Sequence, residues 1–148
     1  MAITQALCTS FKTQLMTATH DFTTTTGDVF KLALFRAQAS ISGTFGAGTT
    51  NYSDMGADQA TGTNYTAGGS ALTNVTPTSS GTTAYTDFAD LVFTNVTITT
   101  SGCLIYNSSA SNKAVAVFNF GGDKTATAGD MTIIFPTADA SSAIIRLV

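Results

Sequence analysis

The sequence predicts an all-β protein, and its composition supplies two of the three observations behind that prediction. Of the 148 residues 29 are threonine, and all nine acidic residues are aspartate. Threonine favours the pleated surface of a strand and aspartate favours turns, whereas glutamate, which commonly covers exposed helices, is absent. The third observation is a series of short apolar segments separated by turn-forming residues. We therefore predict a single β-sandwich domain over residues 1–148, with seven or eight strands in a jelly-roll or immunoglobulin-like order.

The chain has few charged residues, which favours packing of its surface against other molecules. Only 10% of the residues are charged, and the formal net charge is −3. The surface must therefore consist mainly of threonine, serine, asparagine and glycine, with few charges to keep separate molecules apart. We predict a homo-oligomer, with a trimer favoured, that packs permanently against neighbouring subunits. A monomeric sandwich with a neutral face is the alternative.

Charge and hydropathy patterns argue against two classes of partner. Nucleic acid is not expected, because the six basic residues form no cluster that could neutralise phosphates. A membrane is not expected, because no apolar run approaches the roughly 20 residues of a spanning helix. The first residues also lack the basic and apolar blocks of a signal peptide. Cys8 and Cys103 share no metal-type spacing and are predicted to be buried thiols.

The first predicted element is an amphipathic helix over residues 3–18. Its apolar residues recur every four positions: Ile3, Leu7, Phe11 and Leu15. This spacing places them on one face, while Thr4, Gln5, Lys12 and Thr13 lie opposite. The apolar face either packs on the domain's own sheet or contacts a neighbouring subunit, so these four residues are candidate partner contacts. His20, just beyond the helix, is placed where it could interact with the carbonyl end.

A long Gly- and Thr-rich loop is predicted after the first buried strand. That strand is "VFKLALFRA", which is apolar on both faces and belongs inside a sandwich or under the helix. From residue 38 to residue 61 the periodicity disappears, and we predict an extended loop or arm. A loop of this length in a compact domain is usually functional or held by a partner, so its isolated large residues are further candidate contacts: Phe45, Tyr52 and Met55.

The rest of the chain reads as strands at short spacing. "TAGGS" permits a tight bend into the strand "SALTNVT", and "PTSSGTT" is predicted to be a turn. The apolar positions change phase near Asn95, which indicates a bulge or corner. "GCLIYN" and "KAVAVFNF" flank a hairpin turn, and "GGDKTATAGD" is predicted to be a pair of turns. "MTIIFP" and "SAIIRLV" are the last predicted strands.

No catalytic, cofactor or metal site is predicted. The single histidine, His20, lacks a motif that supplies a nucleophile and an orienting group. "TAGGS" lacks the lysine and the following helix of a phosphate-binding loop. A calcium site in "NYSDMGADQATG" would have few aspartates and does not match the helix–loop–helix pattern. Three aspartate pairs are more simply explained as turn residues than as acid–base pairs: Asp54 with Asp58, Asp87 with Asp90, and Asp123 with Asp130.

Read in order, several segments resemble a group of small structural proteins of tailed bacteriophages. The segments are "ALCTSFKTQLMTATHDF", "GDVFKLALF", "YTAGGSAL", "PTSSGTTAYTDFAD", "FTNVTIT", "GCLIYN", "NKAVAVFNFGGDKT" and "AGDMTIIFPTADASSAIIRL". The resemblance covers residues 1–36 and 62–148, whereas residues 37–61 depart from it. It implies a component of the virion, assembled in the host cytoplasm, and it carries no catalytic residue.

From these observations the expected function is that of a capsid decoration (cement) protein. Such a protein contacts the major capsid protein or other virion subunits and stabilises the head by adding buried area between them. Two alternatives remain open. The chain is a host-recognition module of the tail or of head fibres, with exposed aromatic residues among Phe45, Tyr52 and Tyr65, or it is a head–tail connector or tail-tube subunit that forms rings.

Overall fold

A computed structural model describes residues 2–148 and has the predicted all-β class, with 48% of residues in strands and 12% in helices. One α-helix, α1 (Thr9–Met16), is accompanied by two 3-10 segments, Gln38–Ser40 and Tyr52–Asp58. Ten strands are formed within these described residues. In order they are β1 (Ala2–Ile3), β2 (Ala6–Leu7), β3 (Phe30–Phe35), β4 (Thr44–Phe45), β5 (Ser70–Ala71), β6 (Asn74–Ser80), β7 (Thr83–Phe88), β8 (Leu91–Asn107), β9 (Lys113–Ile133) and β10 (Ile145–Leu147). The count exceeds the predicted seven or eight because four strands are only two residues long.

The strands form one five-stranded, one three-stranded and one two-stranded sheet. The larger two have the orders β2-β9-β8-β3-β5 and β10-β7-β6, with antiparallel neighbours throughout. Phe30 of β3 contacts Phe88 of β7 with ring centroids 5.5 Å apart, and Phe22 stacks on Phe30 at 4.3 Å. These aromatic contacts connect the two larger sheets. They place the core on β3, which is apolar at five of its six positions and buried along most of its length.

The helix is shorter than the predicted span of 3–18. It covers only Thr9–Met16, because the residues before it form β1, which pairs with β4, and β2, which pairs with β9. Pairing with these strands buries Ile3 in extended backbone, so its four-residue spacing to Leu7 was not a helical signal. Beyond the helix Ala18 adopts a left-handed φ of 56° and its N–H donates to the Leu15 carbonyl, which ends the helix.

Residues 38–61 form a long, mostly irregular loop, which is one of the two predicted alternatives, and not a projecting arm. Ile3 pairs with Phe45, whose ring lies 4.6 Å from the ring of Phe35, and the Ala60 N–H donates to the Leu34 carbonyl. The accessible surface of the described chain is 7088 Å². This agrees with the roughly 7,100 Å² expected of a compact monomer of this mass, so no projecting segment adds to it. The segment folds back because its apolar residues complete the core.

A long β-hairpin, β8–β9, dominates the five-stranded sheet. The turn predicted at residues 108–112 is present, with left-handed backbone at Ser111 and Asn112. The register shifts between Phe93 and Val96, which confirms the bulge expected near Asn95. The pair of turns predicted in "GGDKTATAGD" is wrong, because β9 continues to Ile133. Register shifts in the hairpin absorb the glycines as irregularities within a strand.

The bend predicted at "TAGGS" is present and requires its glycines. Gly68 and Gly69 have φ of 93° and 72°, and a β-carbon on Gly69 would lie 1.7 Å from the Leu32 carbonyl oxygen. The bend thus brings the chain directly onto β3 before β5 begins. By contrast, the turn predicted at "PTSSGTT" is shorter than expected, because β6 runs through Pro77 to Ser80 and the chain reverses at Gly81 and Thr82.

Candidate interaction surface

Four of the seven predicted partner contacts lie inside the core. Their side chains are at most 4% exposed, so they are unavailable to a partner while the domain is folded: Ile3, Phe11, Phe45 and Met55. The other three are half-buried: Leu7, Leu15 and Tyr52. The prediction failed for the four buried residues because β1, α1 and the 38–61 segment all pack onto the chain's own core, which sequence periodicity could not reveal.

An apolar groove instead lies between α1 and β10, and we call it the α1–β10 groove. Leu15 and Met16 line it from the helix, and Ile145 and Leu147 line it from the strand, around a volume of about 410 Å³. Met16 is 82% exposed and Leu147 is 61% exposed. Large apolar side chains with this exposure, grouped in one concave surface, are typical of a site that a partner covers.

Two cationic side chains border the α1–β10 groove. Lys12 of α1 and Arg146 of β10 belong to its lining, which contains no carboxylate. The ion pair of the described residues is elsewhere, between Arg36 and Asp58. Asp139 is close enough to Arg146 for their charges to interact, but its carboxylate accepts the Ser141 and Ser142 N–H groups. In a chain of net charge −3, this surface is locally positive.

A second apolar surface follows the far end of β9. It is lined by Phe120, Ala126, Met131, Ile133 and Ile134, around a volume of about 450 Å³. Ile134 is 76% exposed. No residue of this surface also lines the α1–β10 groove. A third depression lies between the two surfaces, because it shares Phe120, Ile133 and Ile134 with this surface and Arg146 with the groove.

The aspartates hold the backbone together. Each of the nine accepts at least one backbone N–H. In the three pairs considered for acid–base chemistry, Asp54 caps the 3-10 segment that starts at Tyr52, Asp90 accepts the Phe135 N–H and Asp130 accepts the Asn95 N–H. The Asp54 bonds are local to its own turn, whereas the Asp90 and Asp130 bonds join segments distant in sequence. Both kinds of bond explain the residue type without catalysis.

Asp58 is the most strongly engaged of the aspartates. Its carboxylate accepts the Ser42 and Gly43 N–H groups and pairs with the Arg36 guanidinium at 2.7 Å. Burial raises the pKa of Asp58, but these hydrogen bonds together outweigh burial and leave the pKa below its usual range. The site fastens the 38–61 segment to the end of β3.

Asp87 is a buried carboxylate whose pKa is raised, unlike that of Asp58. Burial raises its pKa, and the Phe88 and Ile144 N–H groups that it binds offset this only in part. Ile144 immediately precedes β10, so Asp87 fixes the chain where it enters the three-stranded sheet. These hydrogen bonds account for the position of Asp87.

No group of histidine, cysteine and acidic side chains among the described residues is placed to hold a metal ion.

His20 lies in a buried polar network rather than at an exposed helix end. The Asn107 carboxamide oxygen accepts the Ser109 and Ala110 N–H groups, so its amide nitrogen must face His20 Nδ1 at 2.9 Å. Nδ1 is therefore an acceptor, and Nε2 carries the proton that it donates to Gln14 at 2.8 Å. Burial lowers the His20 pKa; Asp28 opposes this effect and Lys113 adds to it.

This network predicts a loss of stability in mild acid. Because the folded-state pKa of His20 lies below its unfolded value of 6.5, folding favours the neutral ring, and the benefit is lost as pH falls from 6.5 through the folded-state pKa. We expect the free energy of unfolding, measured with urea, to decrease between neutral pH and pH of about 5.

A His20→Gln variant serves as the control for that titration. It should be less stable at neutral pH but show a flatter pH dependence than the natural chain over the same interval. Asp87 titrates with the opposite sign, because its raised pKa favours the folded state as pH falls, and it does so equally in both proteins. Parallel curves for the two proteins would contradict the role assigned to His20.

Both cysteines and three of the tyrosines also make contacts within the domain. Both thiols are free and buried as predicted; burial raises the pKa of Cys8 to about 11, and burial also raises the Cys103 pKa. Tyr52 stacks on Tyr106 with centroids 4.6 Å apart, and Tyr65 accepts the Leu34 N–H. The exposed aromatic residues expected of a glycan-binding face are therefore not found at Tyr52 or Tyr65.

Within residues 2–148, the helices are too short to cross a bilayer. Comparison with known protein families, with curated proteins and with solved structures found no match.

Proposed function

We propose that this chain is a non-enzymatic structural protein of a bacteriophage virion, and specifically a capsid decoration (cement) protein. The observation that carries the proposal is the pair of apolar surfaces, the α1–β10 groove and the far end of β9, on a chain with few charges. A subunit that ties others together needs a contact surface for more than one neighbour. The ordered segments that resemble phage structural proteins supply the setting.

The chemistry of the side chains supports a structural role. The aspartates bind backbone N–H groups, His20 is buried among aromatic rings, and both thiols are buried. Each of these groups has a defined partner or packing role within the fold. The exposed groups with unused binding capacity are instead apolar, which suits contact with protein rather than turnover of a substrate.

The proposal is tested by locating the chain in particles of the phage whose genome encodes it. Purified particles should contain the chain in many copies, and a cryo-EM reconstruction should show it on the outer surface of the head. Heads that lack it should rupture at a lower temperature than complete heads. Density for the chain confined to the tail, or its absence from the particle, would contradict the proposal.

A substitution in the α1–β10 groove should weaken binding to such heads. Met16→Glu places a charge where an apolar contact is proposed, and we expect a loss of at least about tenfold in affinity, which corresponds to about 1.4 kcal/mol. Sedimentation of purified chain with decoration-free heads provides the measurement.

Thr13→Glu is the matched control. It adds the same charge to the same helix, but residue 13 is exposed and does not line the groove. Binding by this variant should remain within about twofold of the natural chain. Equal losses for both variants would indicate a general charge effect and would contradict the assignment of the groove.

A further inference from the structure

The α1–β10 groove runs along the open edge of a sheet. β10 is the first strand in the order β10-β7-β6, and its other side has no strand neighbour among the described residues. Ile145, Arg146 and Leu147 all line the groove, although successive side chains of a strand point to opposite faces. The groove therefore runs along the whole length of β10. The backbone groups of β10 that point away from β7 have no strand partner among the described residues, so an added strand can pair with them.

We propose that the groove binds an extended segment of a partner protein, which adds as a fourth strand beside β10 and carries an acidic residue between two apolar residues. The proposal deepens the proposed function, on which it rests for the identity of the groove as a contact surface. Strand addition supplies main-chain hydrogen bonds, and the side-chain pattern supplies specificity.

The side-chain pattern follows from the alternation along β10. Residues directly opposite each other on neighbouring strands share a face. Ile145 and Leu147 face the side of Leu15, because these residues line a common apolar depression with Phe22 and Ala84. A segment paired with β10 therefore needs apolar side chains opposite these two. The residue between them must face Arg146, which lies within 4 Å of no carboxylate among the described residues.

A cationic side chain of α1 also favours an acidic partner segment. Lys12 is exposed at the rim of the groove, on the helix side, so a second acidic residue two positions beyond the apolar–acidic–apolar triplet would face a cation as well. The groove itself offers no carboxylate for a basic segment. Charge complementarity thus selects an acidic segment and disfavours a basic one.

A second copy of this chain does not supply that segment. Aspartates occur in two of the described strands, at Asp87 of β7 and at Asp123 and Asp130 of β9. Asp87 is fully buried, Asp123 follows a glycine and precedes Lys124, and Asp130 follows a glycine. No described strand therefore presents an exposed acidic residue between two apolar ones. Outside the strands, Asp90 and Asp139 each lie between two apolar residues, but their carboxylates already accept N–H groups of their own chain, from Phe135 and from Ser141 and Ser142. We conclude that the segment belongs to a different protein.

The test is selection of peptides on the purified full-length chain from a random displayed peptide library. Enriched sequences should contain the apolar–acidic–apolar triplet. When an enriched peptide is added, the amides of β10 that face the groove should gain protection from hydrogen exchange. Enrichment of basic sequences, or no enrichment, would overturn the proposal.

Charge reversal at Arg146 gives the sharper result. Arg146→Glu should lower the affinity for the enriched acidic peptide by about tenfold or more, and a new selection on it should favour a basic central residue. Lys31→Glu is the matched control, because Lys31 of β3 lines neither the groove nor the second apolar surface, and it should leave the selection unchanged. An unchanged preference in Arg146→Glu would overturn the inference.

The outcomes for the two proposals are distinguishable. Peptides that bind as described to a chain that fails to bind heads would leave the strand-addition site intact and reject the decoration role. A chain that decorates heads without selecting acidic segments would support the decoration role and reject the strand-addition site. Self-association of the purified chain that is lost in Arg146→Glu would assign the groove to a second copy and would overturn the inference.

Discussion

Replacing Gly69 with alanine is expected to destabilise the fold by more than about 3 kcal/mol. Two effects add. The backbone at Gly69 has a φ of 72°, which costs a residue with a β-carbon about 1–2 kcal/mol. The new β-carbon would also lie 1.7 Å from the Leu32 carbonyl oxygen, so β3 or the bend must move. A loss of this size is a large fraction of the 5–15 kcal/mol typical of a domain. Urea unfolding of the purified variant provides the measurement.

Gly81→Ala separates the two effects. Gly81 also has a positive φ, of 58°, but a β-carbon there would meet nothing within 4 Å. We expect this variant to lose only about 1 kcal/mol, from backbone strain alone. If Gly69→Ala were no more destabilising than Gly81→Ala, the close approach of the bend to β3 would be incorrect.

Replacing Asp58 with asparagine is expected to cost about 3 kcal/mol. The side chain is 3% exposed, and its two oxygens accept hydrogen bonds from Ser42, Gly43 and Arg36. An amide presents one oxygen and a donor, so a buried N–H would lose its acceptor and Arg36 would lose its counter-ion. Hydrogen exchange should show faster opening at residues 42–59, and chemical denaturation should report the free energy.

Asp54→Asn is the comparison for the Asp58 substitution. Asp54 binds the Thr50 and Asn51 N–H groups in a similar way, but it is exposed to solvent. We expect its loss to cost about 1 kcal/mol, the usual value of a capping side chain. Equal effects at the two positions would mean that Asp58 is not the anchor of this segment.

The sequence was informative where local chemistry determines local structure. The glycines of "TAGGS", the phase change near Asn95 and the hairpin at residues 108–112 each impose a backbone conformation on their own neighbourhood. These features were predicted correctly because turns and bulges depend on the residues within them.

Where tertiary contacts decide, the sequence predictions failed. The four-residue spacing from Ile3 to Leu15 matched a helix, but pairing with distant strands held the first residues in extended form. Likewise, residues 38–61 have no periodic apolar pattern, yet they do not project outward. The Asp58 carboxylate and the buried Phe45 side chain hold them on the domain. Propensity is a weak signal when partners lie far along the chain.

The candidate surface was predicted only in part. The expectation that the first helix contributes to contacts led to Leu7 and Leu15, which line the α1–β10 groove, whereas Phe11 on the same stripe also borders the groove but has no exposed surface. β10 was predicted as a strand, yet its position beside α1 follows from strand order. Because no local pattern encodes which edge of a sheet stays open, the second wall of the groove could not be predicted.

The most direct test of the account is a reconstruction of the encoding phage particle at a resolution that shows side chains. We expect the chain on the outer surface of the head, with the α1–β10 groove filled by an extended segment of a neighbouring subunit and an acidic side chain facing Arg146. A chain that is on the head with this groove open to solvent, or that is absent from the head, would contradict the account.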